Sequence, residues 1–228
     1  MVTASGLCKD FGKRRFIDGV SLHVPEGHAL AVVGENGAGK TTLLKMLATA
    51  SRPDAGALFI GGVDALKDPA AARGMIGYVP QGIALMQELT VGDNLRYWMK
   101  PKDEAAYRWT LDVIGLGGVE RKKVAKLSGG MQRRLNIGAS LVTRPRLLIL
   151  DEPLAGVDAQ NRARIMAALQ QLKSSGVTII LTSHYTDELQ LLADGMLALK
   201  EGAVTYFGGI DFSPEAGGLP GAIRRYTA

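Results

Sequence analysis

The chain has 228 residues, of which 46% are hydrophobic and 21% charged, and these values predict one globular unit with a large and a small lobe. The formal net charge is +5, but the basic residues, Arg133 and Arg134 among them, are scattered over what we expect to be solvated faces. They form no stripe of the kind that nucleic-acid binding needs, so we expect no nucleic-acid partner. A single cysteine excludes an internal disulfide, and no window of about 18 apolar residues predicts a membrane span.

The first third of the chain is rich in β patterns. Residues 16–24 are predicted to form a strand that ends in a turn at residues 25–27, and residues 57–60 form another. Between them, residues 29–33 are a continuous apolar run that ends in glycine, which is typical of a strand buried on both faces. A helix is predicted to begin near Gly39, directly after a glycine-rich turn.

Residues 82–143 have helical apolar spacing and no clear buried strand, which predicts an inserted helical lobe. Two further apolar runs, residues 147–150 and 177–181, are predicted strands. Asp158 is the expected N-cap of a helix between them. A hairpin over residues 196–207 and a tail rich in glycine and proline complete the chain. Strands that alternate with helices predict an α/β fold with a mostly parallel sheet.

The segment Gly34-x4-Gly39-Lys40-Thr41 has the composition of a phosphate cradle. Its glycines allow consecutive backbone N–H groups to face phosphate oxygens, and the helix start adds positive potential. Lys40 is expected to reach the terminal phosphates, Thr41 to offer a hydroxyl to Mg²⁺, and Thr42 to contact the inner phosphate. The alternative, a tight glycine turn with no ligand, explains the strand before it and the helix after it less well.

Two adjacent carboxylates, Asp151 and Glu152, follow a buried strand directly. Burial of such a pair is costly unless a metal or a reacting water is present. We expect Asp151 to reach the Mg²⁺ shell and Glu152 to act as the general base that activates water. An exposed acidic turn before Pro153 is the alternative.

Gln81 and His184 are two further candidates, each after an apolar run. The Gln81 amide suits Mg²⁺ and the attacking water, and His184 suits a terminal phosphate, because ligands of open α/β sheets collect where the strands end. Taken alone, Gln81 is equally a solvent-facing polar residue and His184 a satisfied buried imidazole.

These segments together resemble the nucleotide-binding subunit of an ATP-binding-cassette transporter over essentially the whole chain. The resemblance implies a P-loop core with an antiparallel β subdomain (residues 1–81 and 144–210), a helical subdomain (82–143) and a short C-terminal tail (211–228). It implies ATP and Mg²⁺ as cofactors, with Thr41, Gln81 and Asp151 as metal ligands. It assigns catalytic roles to Lys40, Gln81, Glu152 and His184, and nucleotide contacts to Phe11, Gly34, Asn36, Gly37, Ala38, Gly39, Lys40, Thr41, Thr42, Ser128, Gly129, Gly130 and Asp158.

The family also accounts for a second phosphate-binding helix start at Ser128-Gly129-Gly130. Its members work as head-to-tail dimers in which this signature segment closes on the ATP held by the phosphate loop of the other subunit. The resemblance therefore implies a second nucleotide-binding subunit, identical or not, as a partner. Two departures from the family pattern are Met131, where glutamine is most frequent, and Ala155-Gly156 in the loop before Asp158. We expect active hydrolysis, with the communication between the two sites more affected than catalysis.

Because no span is predicted, the resemblance requires separate transmembrane permease subunits and a peripheral location on the cytoplasmic face of the inner or plasma membrane. Residues 83–91 are expected to line the cleft in which the permease docks, and substitutions at Leu85 or Met86 would test this, although apolar residues such as these are more often lobe core. The wording of the motifs resembles bacterial export-type cassettes. An import cassette, a soluble cassette ATPase outside transport and a binding module without hydrolysis are the alternatives.

Overall fold

The computed structural model describes residues 1–99, 103–210 and 218–227. In chain order, its elements are β1 (Val2–Phe11), β2 (Arg14–Val24), β3 (Ala29–Gly34), α1 (Lys40–Leu47), β4 (Ala55–Ile60), β5 (Val63–Asp64), α2 (Pro69–Arg73), β6 (Ile76–Val79), α3 (Val91–Trp98), α4 (Glu104–Val113), a 3₁₀ turn (Val124–Lys126), α5 (Gly129–Leu141), β7 (Leu147–Asp151), α6 (Ala159–Ser174), β8 (Thr178–Thr182), α7 (Thr186–Leu192), β9 (Gly195–Lys200), β10 (Ala203–Gly209) and α8 (Gly218–Thr227).

Two sheets organise these elements. An antiparallel sheet has the strand order β2-β1-β4-β5. A second sheet has the order β10-β9-β3-β8-β7-β6, in which every pair is parallel except the hairpin β9–β10. The predicted mostly parallel sheet is therefore confirmed. Because parallel strands point the same way, β3, β6, β7 and β8 all end at one edge of this sheet.

The strands of the parallel sheet are buried on both faces. Alternate residues of β3 belong to two different cores: Ala29, Ala31 and Val33 face one, and Leu30 and Val32 face the other. This alternation follows from the two-residue period of a strand. It explains why the sequence shows a continuous apolar run here instead of an alternating one.

The helices α3, α4 and α5 lie between β6 and β7 and share the first of these cores. Capping side chains begin each of them: Thr90 accepts from Asp93 N, Asp103 from Ala106 N, and Ser128 from Met131 N. An inserted helical stretch is thus present between the strands. The predicted lobe limits, residues 82 and 143, remain a proposal.

Six strands and helices went unpredicted: β1, β5, β6, α2, α7 and α8. The segments of β6 and α2 are only four and five residues long, too short for a periodic signal. The predicted C-terminal tail contains a helix that the sequence did not predict, Gly218–Thr227. Tyr226 stacks on Tyr206 with ring centroids 4.2 Å apart, so tertiary packing overrides the weak helical propensity of this glycine- and proline-containing segment. The rest of the predicted tail, residues 211–217 and 228, lies outside the described residues.

Within the described parts of the chain, no helix combines the length and the apolar character needed to span a bilayer.

Candidate functional site

The glycine-rich loop between β3 and α1 has a backbone conformation that is unfavourable for residues with a side chain. Gly34 has a φ of +152° and Gly39 a φ of +106°. A Cβ on Gly34 would lie 2.4 Å from the carbonyl oxygen of Leu199, and one on Gly39 would lie 2.5 Å from Cδ1 of Ile17. Both positions require glycine because backbone and core side chains approach them closely.

The turn between β9 and β10 braces this loop from the side. The Gly202 amide donates to the carbonyl of Ala38 at 3.0 Å, and the Asp18 amide donates to the carbonyl of Gly202 at 3.0 Å. A Cβ on Gly202 would lie 2.0 Å from the carbonyl oxygen of Phe16. The phosphate loop, β2 and the hairpin turn therefore meet at one glycine.

Lys40 begins α1 and folds back over the loop. Its Nζ donates to the carbonyls of Gly34 at 2.7 Å and Glu35 at 3.0 Å. Burial lowers the pKa of Lys40, and the charges of Glu152 and Asp151 oppose that shift. The ammonium group of the phosphate loop is thus electrostatically coupled to the two carboxylates predicted to lie across the site.

The other loop residues divide by exposure. Asn36 and Gly37 are exposed, and Gly37 has a positive φ of +86° with no atom near the place of a Cβ. Ala38 is buried, and Thr41 and Thr42 are half-buried in the first turn of α1. The loop therefore presents an open, backbone-lined rim at the positions predicted to contact phosphate.

Asp151 closes β7 with one carboxylate oxygen satisfied and one not. Its Oδ1 accepts from the hydroxyl of Thr182 at 2.9 Å, whereas its Oδ2 is buried without a hydrogen-bond partner. The Thr182 hydroxyl also accepts from the Glu152 amide at 2.9 Å. A buried carboxylate oxygen without a hydrogen-bond partner can serve as a ligand to a cation. Asp151 therefore fits the predicted metal role.

Glu152 is brought together with two other predicted residues. Its Oε1 lies 2.9 Å from Nε2 of His184, and its Oε2 accepts from Nε2 of Gln81 at 3.5 Å. The Glu152 side chain is only 15% exposed, while that of His184 is 60% exposed. The predicted base is thus sheltered between an amide and an imidazole that both reach solvent.

Sequence reasoning missed two residues of this site. Thr182 is a polar residue at the end of a buried strand, which is the same signal that singled out Asp151. Arg133 gave no such signal, and its expected place on a solvated face is wrong: it is 5% exposed and donates hydrogen bonds to five backbone carbonyls. Arg134 is also partly buried and bonds the carbonyls of Ile114 and Gly115.

The signature segment, Ser128-Gly129-Gly130, starts α5. The Ser128 hydroxyl accepts from the Met131 amide at 3.3 Å, Gly129 is exposed, and Gly130 lies near the carbonyl of Gly156. In the portions of the chain that the structure describes, no hydrogen bond joins Ser128, Gly129 or Gly130 to residues 34–41. The two predicted phosphate-binding segments are therefore not linked by a direct hydrogen bond in the described part of the chain.

Asp158 and Phe11 occupy the remaining predicted positions. Asp158 caps α6, accepting from the Asn161 amide at 3.0 Å and side chain at 2.7 Å, and these bonds lower the pKa of its carboxyl. Phe11 is the last residue of β1; its ring is 56% exposed and packs edge-on against Phe16 at 5.4 Å. An aromatic face this exposed is available for stacking on a ligand.

No group of three or more histidine, cysteine, aspartate or glutamate side chains is poised to hold a metal among the described residues. A cation at Asp151 would need ligands of another kind, such as the Thr41 hydroxyl, the Gln81 amide and phosphate oxygens. This is the donor set that Mg²⁺ takes at nucleotide sites, where it keeps few protein ligands.

Comparison with known proteins identifies the family. The ABC transporter family model matches residues 17–155. The linearmycin resistance ATP-binding protein LnrL of Bacillus subtilis (strain 168) is 38% identical, across 91% of this chain and 69% of the relative. The daunorubicin resistance ATP-binding protein DrrA3 of Streptomyces coeruleorubidus is 38% identical, across 95% and 71% respectively.

A solved structure of the ATP-binding subunit of an ABC transporter superposes with a TM-score of 0.86 and 26% identity, over 92% of this chain and 90% of the other. The family match, these relatives and the shared fold agree with one another. The chain therefore belongs to the ABC transporter family, as an ATP-binding subunit that hydrolyses ATP.

Proposed function

We propose that this chain hydrolyses Mg-ATP at sites shared between two head-to-tail subunits and thereby powers export through separate transmembrane permease subunits. The observation that carries the proposal is the placement of Glu152 between His184 and Gln81, beside a phosphate loop whose lysine is coupled to the same carboxylates. Such a placement suits a general base that acts on a water near the terminal phosphate.

The residues around the nucleotide divide the chemistry. Phe11 stacks on the base, the backbone of residues 34–39 and the Lys40 ammonium bind the phosphates, and Thr42 contacts the inner phosphate. Glu152 takes the proton of the attacking water, and His184 holds its carboxylate in place and contacts the terminal phosphate. Thr41, Gln81 and Asp151 would hold Mg²⁺, which would supply positive charge to offset that of the phosphates. Most of the acceleration then comes from positioning and electrostatics.

A second helix start with no hydrogen bond to the phosphate loop of its own chain, within the described residues, supports a shared site. Ser128, Gly129 and Gly130 present a helix start whose free amides and dipole favour an anion. In the proposed dimer they bind the terminal phosphate held by the other subunit, near Asp158. Hydrolysis removes contacts made only in the closed state, and the dimer opens. Core lobes at residues 1–81 and 144–210 and a helical lobe at 82–143 then move relative to each other.

A cleft of about 630 Å³ beside Gln81 is the proposed docking place of the permease. Within residues 83–91, only Ala84 lines this cleft, whereas Leu85 packs against the core of the helical lobe. Leu85 is therefore a poorer contact than expected, and the half-exposed Trp98 at the cleft wall is a better one. Aromatic side chains in such clefts are frequent anchors of protein interfaces.

Export is favoured over import by the wording of the motifs and by the two resistance proteins among the relatives. The permease would hold this subunit at the cytoplasmic face of the membrane. An import cassette remains the second candidate. Transport in inverted or right-side-out vesicles that contain the subunit and its co-purified permease separates the two directions.

The hydrolytic part of the proposal is tested on purified protein. Phosphate release from Mg-ATP should be lost in Lys40→Ala, and Glu152→Gln should lower kcat by about 10² to 10⁴ while ATP still binds. With Mg-ATP, Glu152→Gln should run as a dimer in sizing and light scattering, because the closed state no longer decays. A Glu152→Gln protein that stays monomeric at saturating Mg-ATP would contradict the shared site.

The transport part is tested by isolating the membrane protein that co-purifies with this chain and sequencing it. Trp98→Ala should weaken that association, whereas Leu191→Ala, which removes a more exposed apolar side chain that does not line the cleft, should not. Equal association of both variants would contradict docking at this cleft.

A further inference from the structure

The guanidinium of Arg133, on α5, is buried where this helix meets residues 80–81 and residues 151–153. Its Nε donates to the Pro153 carbonyl at 3.0 Å. One terminal nitrogen donates to the carbonyls of Pro80, at 3.3 Å, and Gln81, and the other to those of Asp151, at 3.3 Å, and Glu152. One side chain therefore ties the end of β6 to the end of β7.

Glu152 needs such support because its backbone is strained. Its φ is +47°, in the left-handed region, which costs a side-chain-bearing residue about 1–2 kcal/mol. The Thr182 hydroxyl holds the Glu152 amide from β8, and Arg133 holds the Glu152 carbonyl from α5. The residue is fixed on both sides, and the direction of its carboxylate depends on both bonds.

Arg133 belongs to a polar row on one face of α5. Asn136 accepts from the Ala84 amide at 3.0 Å and donates to the Gly82 carbonyl at 3.2 Å, and Ser140 donates to the Tyr78 carbonyl at 2.8 Å. These three side chains bind the backbone of residues 78–84. Only Arg133 extends the contact to the carboxylate segment.

The helix that carries Arg133 begins at the signature segment. Gly129 and Gly130 form its first turn, and Arg133 lies one turn further along the same continuous helix. Since an α-helix moves as a rigid body over so short a distance, a shift of its start displaces the guanidinium with it. That displacement would change the hydrogen bonds from Arg133 to the five carbonyls.

We propose that Arg133 is a positioning residue for hydrolysis: it carries the placement of the signature helix to Glu152 and Gln81, so that the base is aligned when the helix start engages a nucleotide. Arg133 does not touch the nucleotide itself. The inference rests on the proposed role of Glu152 as the base and adds the residue that sets its geometry.

Two pairs of variants test this role. Arg133→Lys and Arg133→Met are compared with Arg134→Lys and Arg134→Met, which remove a neighbouring guanidinium that bonds the carbonyls of Ile114 and Gly115 and the side chain of Asn161 instead of the Glu152 and Gln81 backbone. Displacement of a base by about 1 Å can cost about 100-fold in rate. We therefore expect kcat to fall about 10-fold in Arg133→Lys and about 100-fold in Arg133→Met, with KM for ATP changed less than about twofold. The Arg134 variants should keep kcat within about threefold of wild type.

The split between kcat and KM separates positioning from general loss of structure, which would lower the melting temperature and raise KM together. Should Arg133→Met fail to fold, Arg133→Lys decides. The inference is overturned when a folded Arg133 variant keeps kcat within threefold of wild type, or when the Arg134 variants lose as much. Glu152→Gln with undiminished kcat would instead overturn the proposed base.

Discussion

Nε2 of His184 lies 2.9 Å from Oε1 of Glu152, although the two residues follow different strands of the parallel sheet, β8 and β7. The contact places an exposed imidazole against a sheltered carboxylate. It predicts that the two side chains act as one unit, with His184 fixing the orientation of the base.

The first prediction concerns this pair. His184→Ala should lower kcat by about 10- to 100-fold, because an unheld carboxylate loses its alignment with the attacking water. In the background of Glu152→Gln, the same change should have little further effect, since residues that act as a unit are not additive. Steady-state hydrolysis of the two single variants and the double variant measures the coupling. Additive losses would contradict a joint role.

A second prediction separates stability from catalysis in β8. Thr182→Val removes the hydrogen bonds to Asp151 and the Glu152 amide, and Thr178→Val removes those to Gly27 and Pro25 in the same strand. Both hydroxyls are buried, so each variant should lose about 1–3 kcal/mol of unfolding free energy. Only Thr182→Val should also lower kcat. Chemical unfolding and phosphate release measure the two effects, and equal kcat values in both variants would count against the role of Thr182.

The third prediction is a pH dependence. Phosphate binding needs the charged form of Lys40, and burial lowers the pKa of this group from its usual 10.5. ATP affinity should therefore decline as pH rises through a value below 10.5, earlier than for an exposed lysine. The stability sign is opposite: the folded chain favours the neutral amine, so the contribution of Lys40 to stability improves between the lowered pKa and the ordinary one.

Calorimetric titration with ATP between about pH 7 and pH 10 measures this decline. Lys40→Arg is the control, since an arginine stays charged over that range. Its affinity, even where it is weaker at neutral pH, should not show the same alkaline fall. A parallel fall in both proteins would assign the effect to another group.

A fourth prediction follows from Tyr78, whose hydroxyl is buried at the docking cleft without a hydrogen-bond partner. Burial, aided by the charge of Asp151, raises the pKa of Tyr78 to about 12, so the hydroxyl stays protonated. Tyr78→Phe removes an unsatisfied polar atom and should leave the melting temperature of the isolated chain unchanged or higher. It should not change association with the permease, because the buried hydroxyl is out of reach of a docked segment.

Tyr97→Phe is the matched control, because the Tyr97 ring is 63% exposed on α3. It should alter neither property. A clear loss of stability in isolated Tyr78→Phe would show that the hydroxyl has a partner within the chain.

The sequence predicts the strands and helices that have a clear local pattern of apolar residues or a capping residue. The run before Gly34 and the run before Asp151 are apolar throughout, and Asp158 stands at the start of a periodic helix, so β3, β7 and α6 follow from pattern alone. The strand β6 is four residues long and interrupted by Gly77, and it becomes a strand only by pairing with β7. Pairing of this kind is a tertiary effect that local propensity does not reveal.

The candidate site divides in the same way. Lys40, Asp151 and Glu152 lie at the ends of recognisable strands or at the start of a helix, where their chemistry is apparent from the sequence. Arg133 is one of two adjacent arginines on a helix, and nothing in its neighbourhood shows that it turns inward. Its function depends on carbonyls from distant segments, which only the folded backbone brings together.

Gly202 links the conformation of the phosphate loop to a hairpin turn more than 160 residues later in the sequence. Its amide supports Ala38 in that loop, and its carbonyl is fixed by Asp18 in the antiparallel sheet. We expect a side chain at this position to impair ATP binding in a functional screen, even though Gly202 is not among the predicted nucleotide contacts. The conformation of the nucleotide site therefore depends on more than its motifs. The β9–β10 turn lies outside them and also requires glycine.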